Sequence, residues 1–250
     1  MPRFFIRNDQ VLSGELFLRG SDAHHIARSL RMAVGDTLTV CDMQGREYEC
    51  RITSFAEDEE VRARILSVRE AENEPPCRIR LFQALPKGDK LDTVIQKAVE
   101  CGACEIIPFE SERCVVRMKP EAEERKTERR GRIAAEAAKQ SGRSVIPLVR
   151  STVSFSEMLT EAQSDLCLFC YEGDGTRPLG EVLKERKELL CNGGTVSVVI
   201  GSEGGFSQSE VEAAKAAGML PIGLGKRILR TETAPLFVLS CLVYVGELEG

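Results

Sequence analysis

The residues best placed to do chemistry lie between Thr195 and Ala234, where TVSVVIGSEGGFSQSEVEAAKAAGMLPIGLGKRILRTETA joins an apolar run to two glycine-bearing turns. Gly201, Gly204 and Gly205 permit a tight turn with positive φ and leave main-chain N–H groups uncovered. The neighbouring residues narrow what such a turn can hold. A Walker-type loop closes on Lys and Ser or Thr, which GSEGGFS lacks, and the dinucleotide spacing G-x-G-x-x-G is replaced by G-x-x-G-G. Glu203 would repel a phosphate and suits a neutral or cationic ligand.

Two other sets of residues invite a chemical role. Cys101-Gly-Ala-Cys104 and Cys167-Leu-Phe-Cys170 have metal-like spacing. The first pair straddles a helix end, and alternation along an apolar strand sends Cys167 and Cys170 to opposite faces, so no metal is expected. His24 and His25, the only histidines, are expected to be structural, one facing in and one out.

The elements that position the glycine turns follow from local pattern. Thr195 to Ile200 is short and β-branched, hence a buried strand. Ser207 and Glu210 have capping-box spacing and start a helix that ends at Gly218, after which Pro221 to Leu224 returns as a strand. Two adjacent strand-end loops make a crevice, the place where open α/β sheets bind ligands. Upstream, strands are expected at Ile79–Leu85, Glu105–Phe109 and Asp165–Phe169, and helices at Asp89–Cys101, Glu121–Gln140, Ser154–Ala162 and Pro178–Leu190. This alternation predicts an α/β domain with a parallel sheet and helices on both faces. The last helix, Thr233–Val245, is apolar nearly all round and needs cover from the sheet and from a second subunit.

Residues 1–72 read differently, as short alternating strands at Glu15–Leu18, Thr37–Cys41, Glu47–Ile52 and Val61–Val68, which predict a small β-barrel. A helix capped by Ser21 or Asp22 is expected over Asp22–Met32. Ala71-Glu-Asn-Glu-Pro-Pro76 is the linker, placing the domains at 1–72 and 73–250. With no long apolar run and no charged-then-apolar leader, the chain is expected to be soluble and cytoplasmic, its ten cysteines reduced. The net charge of −5 conceals a basic balance of 16 against 12 in residues 73–150. Lys87, Lys90, Lys97, Arg113, Arg117, Lys139 and Arg143 form the expected stripe for RNA phosphate.

IGSEGGFSQSE followed by LGKRILRTETA resembles the paired C-terminal motifs of the bacterial 16S ribosomal RNA uracil N3-methyltransferases, a branch of the SPOUT class. HHIARSLRMAVGD, SERCVV (Ser111–Val116) and KQSGRSVIP (Lys139–Pro147) are also similar to that family, so the likeness spans nearly the whole chain. Ser202 departs from it, standing where the family pattern usually has proline. The resemblance implies a PUA-like RNA-binding domain, with Arg28 and Arg31 meeting phosphate. It also implies a C-terminal trefoil knot holding S-adenosylmethionine, and a homodimer acting on ribosomal RNA of the small subunit. By that likeness the cofactor walls are Leu168–Glu172 with Phe169 and Tyr171, Ile200 to Gly205 with Gly201, Glu203 and Gly204, and Leu224 to Leu229 with Gly225, Arg227 and Ile228. Lys87, Arg113 and Arg143 complete the expected RNA contacts.

For that reaction N3 of uracil, a weak acid, must lose its proton or have its developing charge stabilised. Arg230 is the candidate electrostatic group, and Glu232 or Glu203 the proton acceptor. Their plainer roles are that Glu232 favours the start of the last helix and that Thr231 or Thr233 caps it. Three other functions stay open: an RNA-binding assembly factor without turnover, a nucleotide-binding enzyme, and a related enzyme acting on transfer RNA.

Overall fold

The computed structural model describes residues 1–6, 10–12, 14–56, 60–117 and 120–249. Two compact units emerge, Met1–Glu74 with Ala138–Ile146, and Pro75–Ala137 with Pro147–Gly250.

The first unit is a six-stranded sheet in the order β1 (Arg3–Phe5), β4 (Thr37–Cys41), β5 (Arg46–Ala56), β6 (Glu60–Glu70), β3 (Glu15–Arg19) and β2 (Val11–Leu12). Only β1 runs parallel to its neighbour. Alternation sends Leu16, Leu18, Leu38, Val40 and Ile52 to one face, where they pack with Phe4, Ile6 and Ile26. Register shifts at Glu49/Cys50 and Ile52/Ser54 bend the β5–β6 hairpin and curl the sheet. Among the described residues the end strands β1 and β2 do not pair with each other, so the expected small barrel takes the form of a curled half-barrel.

The helix expected over Asp22–Met32 is also different. One α turn, α1 (Ser21–His24), runs into a π turn over His25–Ser29, and Gly20 occupies the cap position expected for Ser21 or Asp22. The wider π turn breaks the 3.6-residue phase. Ile26 is buried, but His24 and His25 are both exposed, and Arg31 reverses the chain at φ 52°.

Two carboxylates, buried Glu47 and half-buried Glu74, explain why residues 138–146 fold with the first unit and not with the residues around them in sequence. Glu47, 2% exposed, accepts from Arg3, from Arg69 at 2.8 Å and from the Ser144 hydroxyl at 3.1 Å. Glu74 takes a fork of bonds from Arg143 and accepts the Ser144 N–H at 2.8 Å. Arg143 was expected on an RNA-facing loop; its side chain is only 4% exposed and is committed to Glu74.

The second unit is built on a parallel sheet in the order β10 (Val153–Ser154), β8 (Ala103–Glu110), β7 (Arg78–Ala84), β13 (Thr195–Ile200), β11 (Leu166–Cys170), β14 (Leu220–Gly223) and β12 (Arg177–Pro178), with β9 (Leu148–Val149) also on β8. Flanking it are α2 (Lys90–Glu100), α3 (Pro120–Ser141), α4 (Phe155–Glu161), α5 (Leu179–Glu185), α6 (Lys187–Cys191), α7 (Gln208–Ala216) and α8 (Ala234–Val243). The single helix expected over Pro178–Leu190 is two, broken at Arg186, whose φ of −107° is not helical. No helix among the described residues is long and apolar enough to cross a membrane. All ten cysteines are free thiols.

Burial alone would raise the Glu47 pKa, but the hydrogen bonds from Arg3 and Arg69 overrule it and hold the carboxyl below its ordinary value. Its stabilisation is therefore complete above the unfolded glutamate value of about 4.3 and is lost as pH falls through the lower folded value. Glu47→Gln should cost about 3 kcal/mol, the penalty for breaking a buried pair, and remove that acid-dependent component. Thermal melts from pH 3 to 7 check this, and identical curves for variant and parent would deny Glu47 its anchoring role.

Candidate active site at the carboxyl ends of the parallel strands

Because the strands are parallel, the loops after β7, β11, β13 and β14 all leave the same edge of the sheet. One hydrogen-bond relay joins three of them. The Thr231 hydroxyl donates to the Gly201 carbonyl at 2.7 Å and accepts from the Gln83 side-chain amide at 3.0 Å. Gln83 is fully buried at the end of β7 and also donates to the Ala84 carbonyl at 3.0 Å. The chain leaves β14 beside β11 and reaches the ends of β13 and β7 by Thr231, so residues 224–230 cross the end of β11. Thr231 therefore ties loops together and caps nothing. Thr233 holds the cap position of α8 but makes no side-chain cap bond either.

The turn after β13 is braced from three sides. Gly205, at φ 64°, donates its N–H to the Ser202 carbonyl at 2.9 Å, supplying the stiffness a proline at Ser202 would have given. Phe206 plugs into the core with its ring centroid 4.3 Å from that of Phe169. The Ser207–Glu210 capping box starts α7 as expected, and Glu210 also accepts the Glu112 N–H at 2.7 Å. Arg113 donates to the Gly204 carbonyl at 3.1 Å, and a Cβ on Gly204 would lie 3.0 Å from the Arg113 Cβ. SERCVV is thus the bracket behind the glycine turn.

A second clamp is ionic. Glu203 accepts from Lys90 Nζ at 2.9 Å and from the Lys87 N–H at 3.1 Å, while Lys90 Nζ lies 3.4 Å from Glu232. Although burial would raise it, these bonds hold the Glu203 pKa below the usual range, and Glu203 in turn raises that of Lys90.

The edge carries unfilled bonding capacity. Main-chain groups of residues 225–229 make no hydrogen bond among the described residues, and Gly225 sits at φ 105°. Gln83 Oε1, Ser202 Oγ and Glu232 Oε2 are buried without a hydrogen-bond partner. Glycines with close neighbours, exposed peptide groups and buried acceptors form a cradle that suits a ligand recognised through main-chain atoms.

The expected site residues fall into distinct groups. Gly201, Glu203, Gly204, Gly205, Leu224, Gly225 and Leu229 lie on these loops, and Arg230 is exposed there; its carbonyl accepts the Thr233 and Ala234 N–H groups at 2.8 and 2.9 Å, while its guanidinium makes no hydrogen bond or ion pair among the described residues. Tyr171 donates its N–H to the Ile222 carbonyl at 3.0 Å, and its ring covers Gly173. The Phe169 and Ile200 side chains, 0% and 2% exposed, turn into the core, so either residue would meet a cofactor through its main chain. Ile228 departs in the opposite sense at 83% exposed, and Arg227 is exposed beside it. Arg28 and Arg31 are exposed in the first unit. Sequence reasoning missed Gln83 as a site residue; its only signal was an amide in the apolar strand IRLFQA. Lys90 had been counted as a phosphate contact.

Residues 73–243 match the RNA methyltransferase domain family, and residues 18–66 the RNA methyltransferase PUA domain family. Over 99% of its length the chain is 36% identical to ribosomal RNA small subunit methyltransferase E of Bacillus subtilis (strain 168), covering 98% of that protein. The chain belongs to the ribosomal RNA small subunit methyltransferase E family. A member from Neisseria gonorrhoeae, solved bound to S-adenosyl methionine, shares 30% identity at a TM-score of 0.84 over 98% of both chains. A putative methyltransferase from Legionella pneumophila, in complex with the bound cofactor SAM, shares 32% at 0.83, over 98% of this chain and 97% of that one. The cradle described above lies wholly in the segment that matches the RNA methyltransferase domain.

Thr231→Val keeps the shape of the relay but leaves the Gly201 carbonyl and the Gln83 amide short of a partner. We expect a loss of about 1–3 kcal/mol by denaturant unfolding. A variant as stable as the parent would mean the relay does not hold the loops.

Proposed function

We propose that this chain methylates N3 of a uridine in ribosomal RNA of the small subunit, using S-adenosylmethionine, as a cytoplasmic homodimer. The observation that carries the proposal is the Thr231–Gly201–Gln83 relay, which brings both glycine loops and Arg230 to one edge of the parallel sheet in a chain of the methyltransferase E family. S-adenosylmethionine supplies a methyl group on a sulfonium sulfur, and Gly201–Gly205 with the open peptide groups of 225–229 would hold it.

The protein's own work is on the uracil. Arg230, free of any carboxylate among the described residues, holds O2 or O4 as negative charge gathers there, while the N3 lone pair forms the new bond. Glu203 is the poorer acceptor for the N3 proton, because Lys90 and the Lys87 N–H already occupy it. Glu232, whose buried Oε2 makes no hydrogen bond and faces Lys90 Nζ only at the longer distance of 3.4 Å, is the better one, directly or through water. The crossing of residues 224–230 over β11 supports a trefoil knot. Exposed Phe237, Tyr244 and Leu248 on and just after α8 support a subunit interface.

Mass spectrometry of ribosomal RNA nucleosides from cells with and without the protein should show 3-methyluridine only in its presence. A missing difference, or methylated transfer RNA instead, would overturn the assignment. Arg230→Ala should lower kcat by about a hundredfold, the scale of losing one charge-stabilising donor, with cofactor Kd changed less than about twofold. An unchanged kcat would remove Arg230 from the mechanism.

A further inference from the structure

The expected basic stripe is largely self-neutralised in the folded chain. Lys90 is held by Glu203 and Glu232, Lys97 by Glu100, Lys139 by Asp22 and Arg143 by Glu74. Arg113 and Arg117 donate to carbonyls of Gly204, Ser111 and Glu112. Cations already so engaged offer little to a phosphate.

Of that stripe the exposed Lys87 side chain stays free among the described residues, its main-chain N–H alone bonding Glu203, and a pair of free cations stands beyond the stripe. Lys226 and Arg227 are exposed, neighbour each other at the bend after Gly225, and make no hydrogen bond or ion pair among the described residues. Ile228, at 83% the most exposed large apolar side chain among the described residues, follows directly. Residues 151–250 carry only 8 basic against 14 acidic side chains, so this tip is a positive island in a negative half. Its ends are fixed, by Gly223 paired in β14 and by Thr231 in the relay.

We propose that Lys226, Arg227 and Ile228 are an RNA-docking tip, the two cations taking backbone phosphates beside the target nucleotide and Ile228 the apolar face of a neighbouring base. This assignment rests on the methyl-transfer function proposed above and moves Arg227 and Ile228 from the cofactor to the RNA. The charge favours that partner. A sulfonium ligand is itself cationic and gains nothing from two adjacent unpaired cations, whereas a polyanion does. In a chain of net charge −5, a local positive rim is also what lets RNA approach at all.

The test measures binding of small-subunit ribosomal RNA across a salt series, with cofactor affinity read separately by calorimetry on the full chain. The double variant Lys226→Gln/Arg227→Gln should weaken RNA binding at low salt and flatten the plot of log K against log salt by about 1.4, two phosphates at about 0.7 each for single-stranded RNA. Ile228→Ser should raise KM for RNA severalfold and leave that slope alone. S-adenosylmethionine Kd should stay within about twofold in both, and their melting temperatures should match the parent. An unchanged slope overturns the inference. If cofactor affinity falls instead, these side chains belong to the cofactor; if the oligomer dissociates, they belong to a second copy. Failure of the parent chain to bind S-adenosylmethionine at all would strike the proposed reaction and not the docking tip.

Discussion

A parallel sheet brings loops to one edge but does not say how they meet. Here that is decided by a buried hydroxyl. Thr231 has one proton to give and gives it to Gly201, while its lone pair receives the Gln83 amide, so strand β7, the turn after β13 and the loop before α8 share one fixed point. An unmade hydrogen bond at a buried amide or carbonyl costs more than a made one gains, which makes this arrangement hard to leave. The other braces, from Arg113 to Gly204 and from Lys90 to Glu203 and Glu232, act on loops the relay has already placed.

Charge in this molecule is used mainly to fasten and only locally to attract. Glu47, Glu74, Glu203 and Glu210 each gather donors from segments distant in sequence. Withdrawing a carboxylate from water is tolerated where several donors converge on it. The cations at Arg230 and at the loop tip, which no carboxylate holds among the described residues, are available to a nucleic acid.

Much of this was legible in the letters. Thr195–Ile200, the Ser207–Glu210 cap and the alternation of strand and helix are local patterns, and local physics decided them. The resemblance carried by GSEGGFSQSE and LGKRILRTETA named the family, which no periodicity could have done. What escaped were pairings between distant residues. Arg143 looked like a loop cation because Glu74 lies far from it in sequence, and Lys90 looked like a phosphate contact because both its carboxylates come from the last third of the chain. The π turn at His25–Ser29 broke a helical phase that the apolar pattern alone could not show to be broken.

The split composition of the first unit sets an order of events during synthesis. Met1–Glu74 emerges from the ribosome with all six strands but without Arg143 and Ser144, so Glu74 lacks its Arg143 fork and Glu47 its Ser144 bond while the next 63 residues are made. Only when Ala138–Ile146 has been translated can Glu74 gain its arginine and Glu47 its last donor. Completion of the amino-terminal unit is therefore coupled to the progress of translation through α3, and a truncation at the linker would leave the nascent sheet with charges it was built to share.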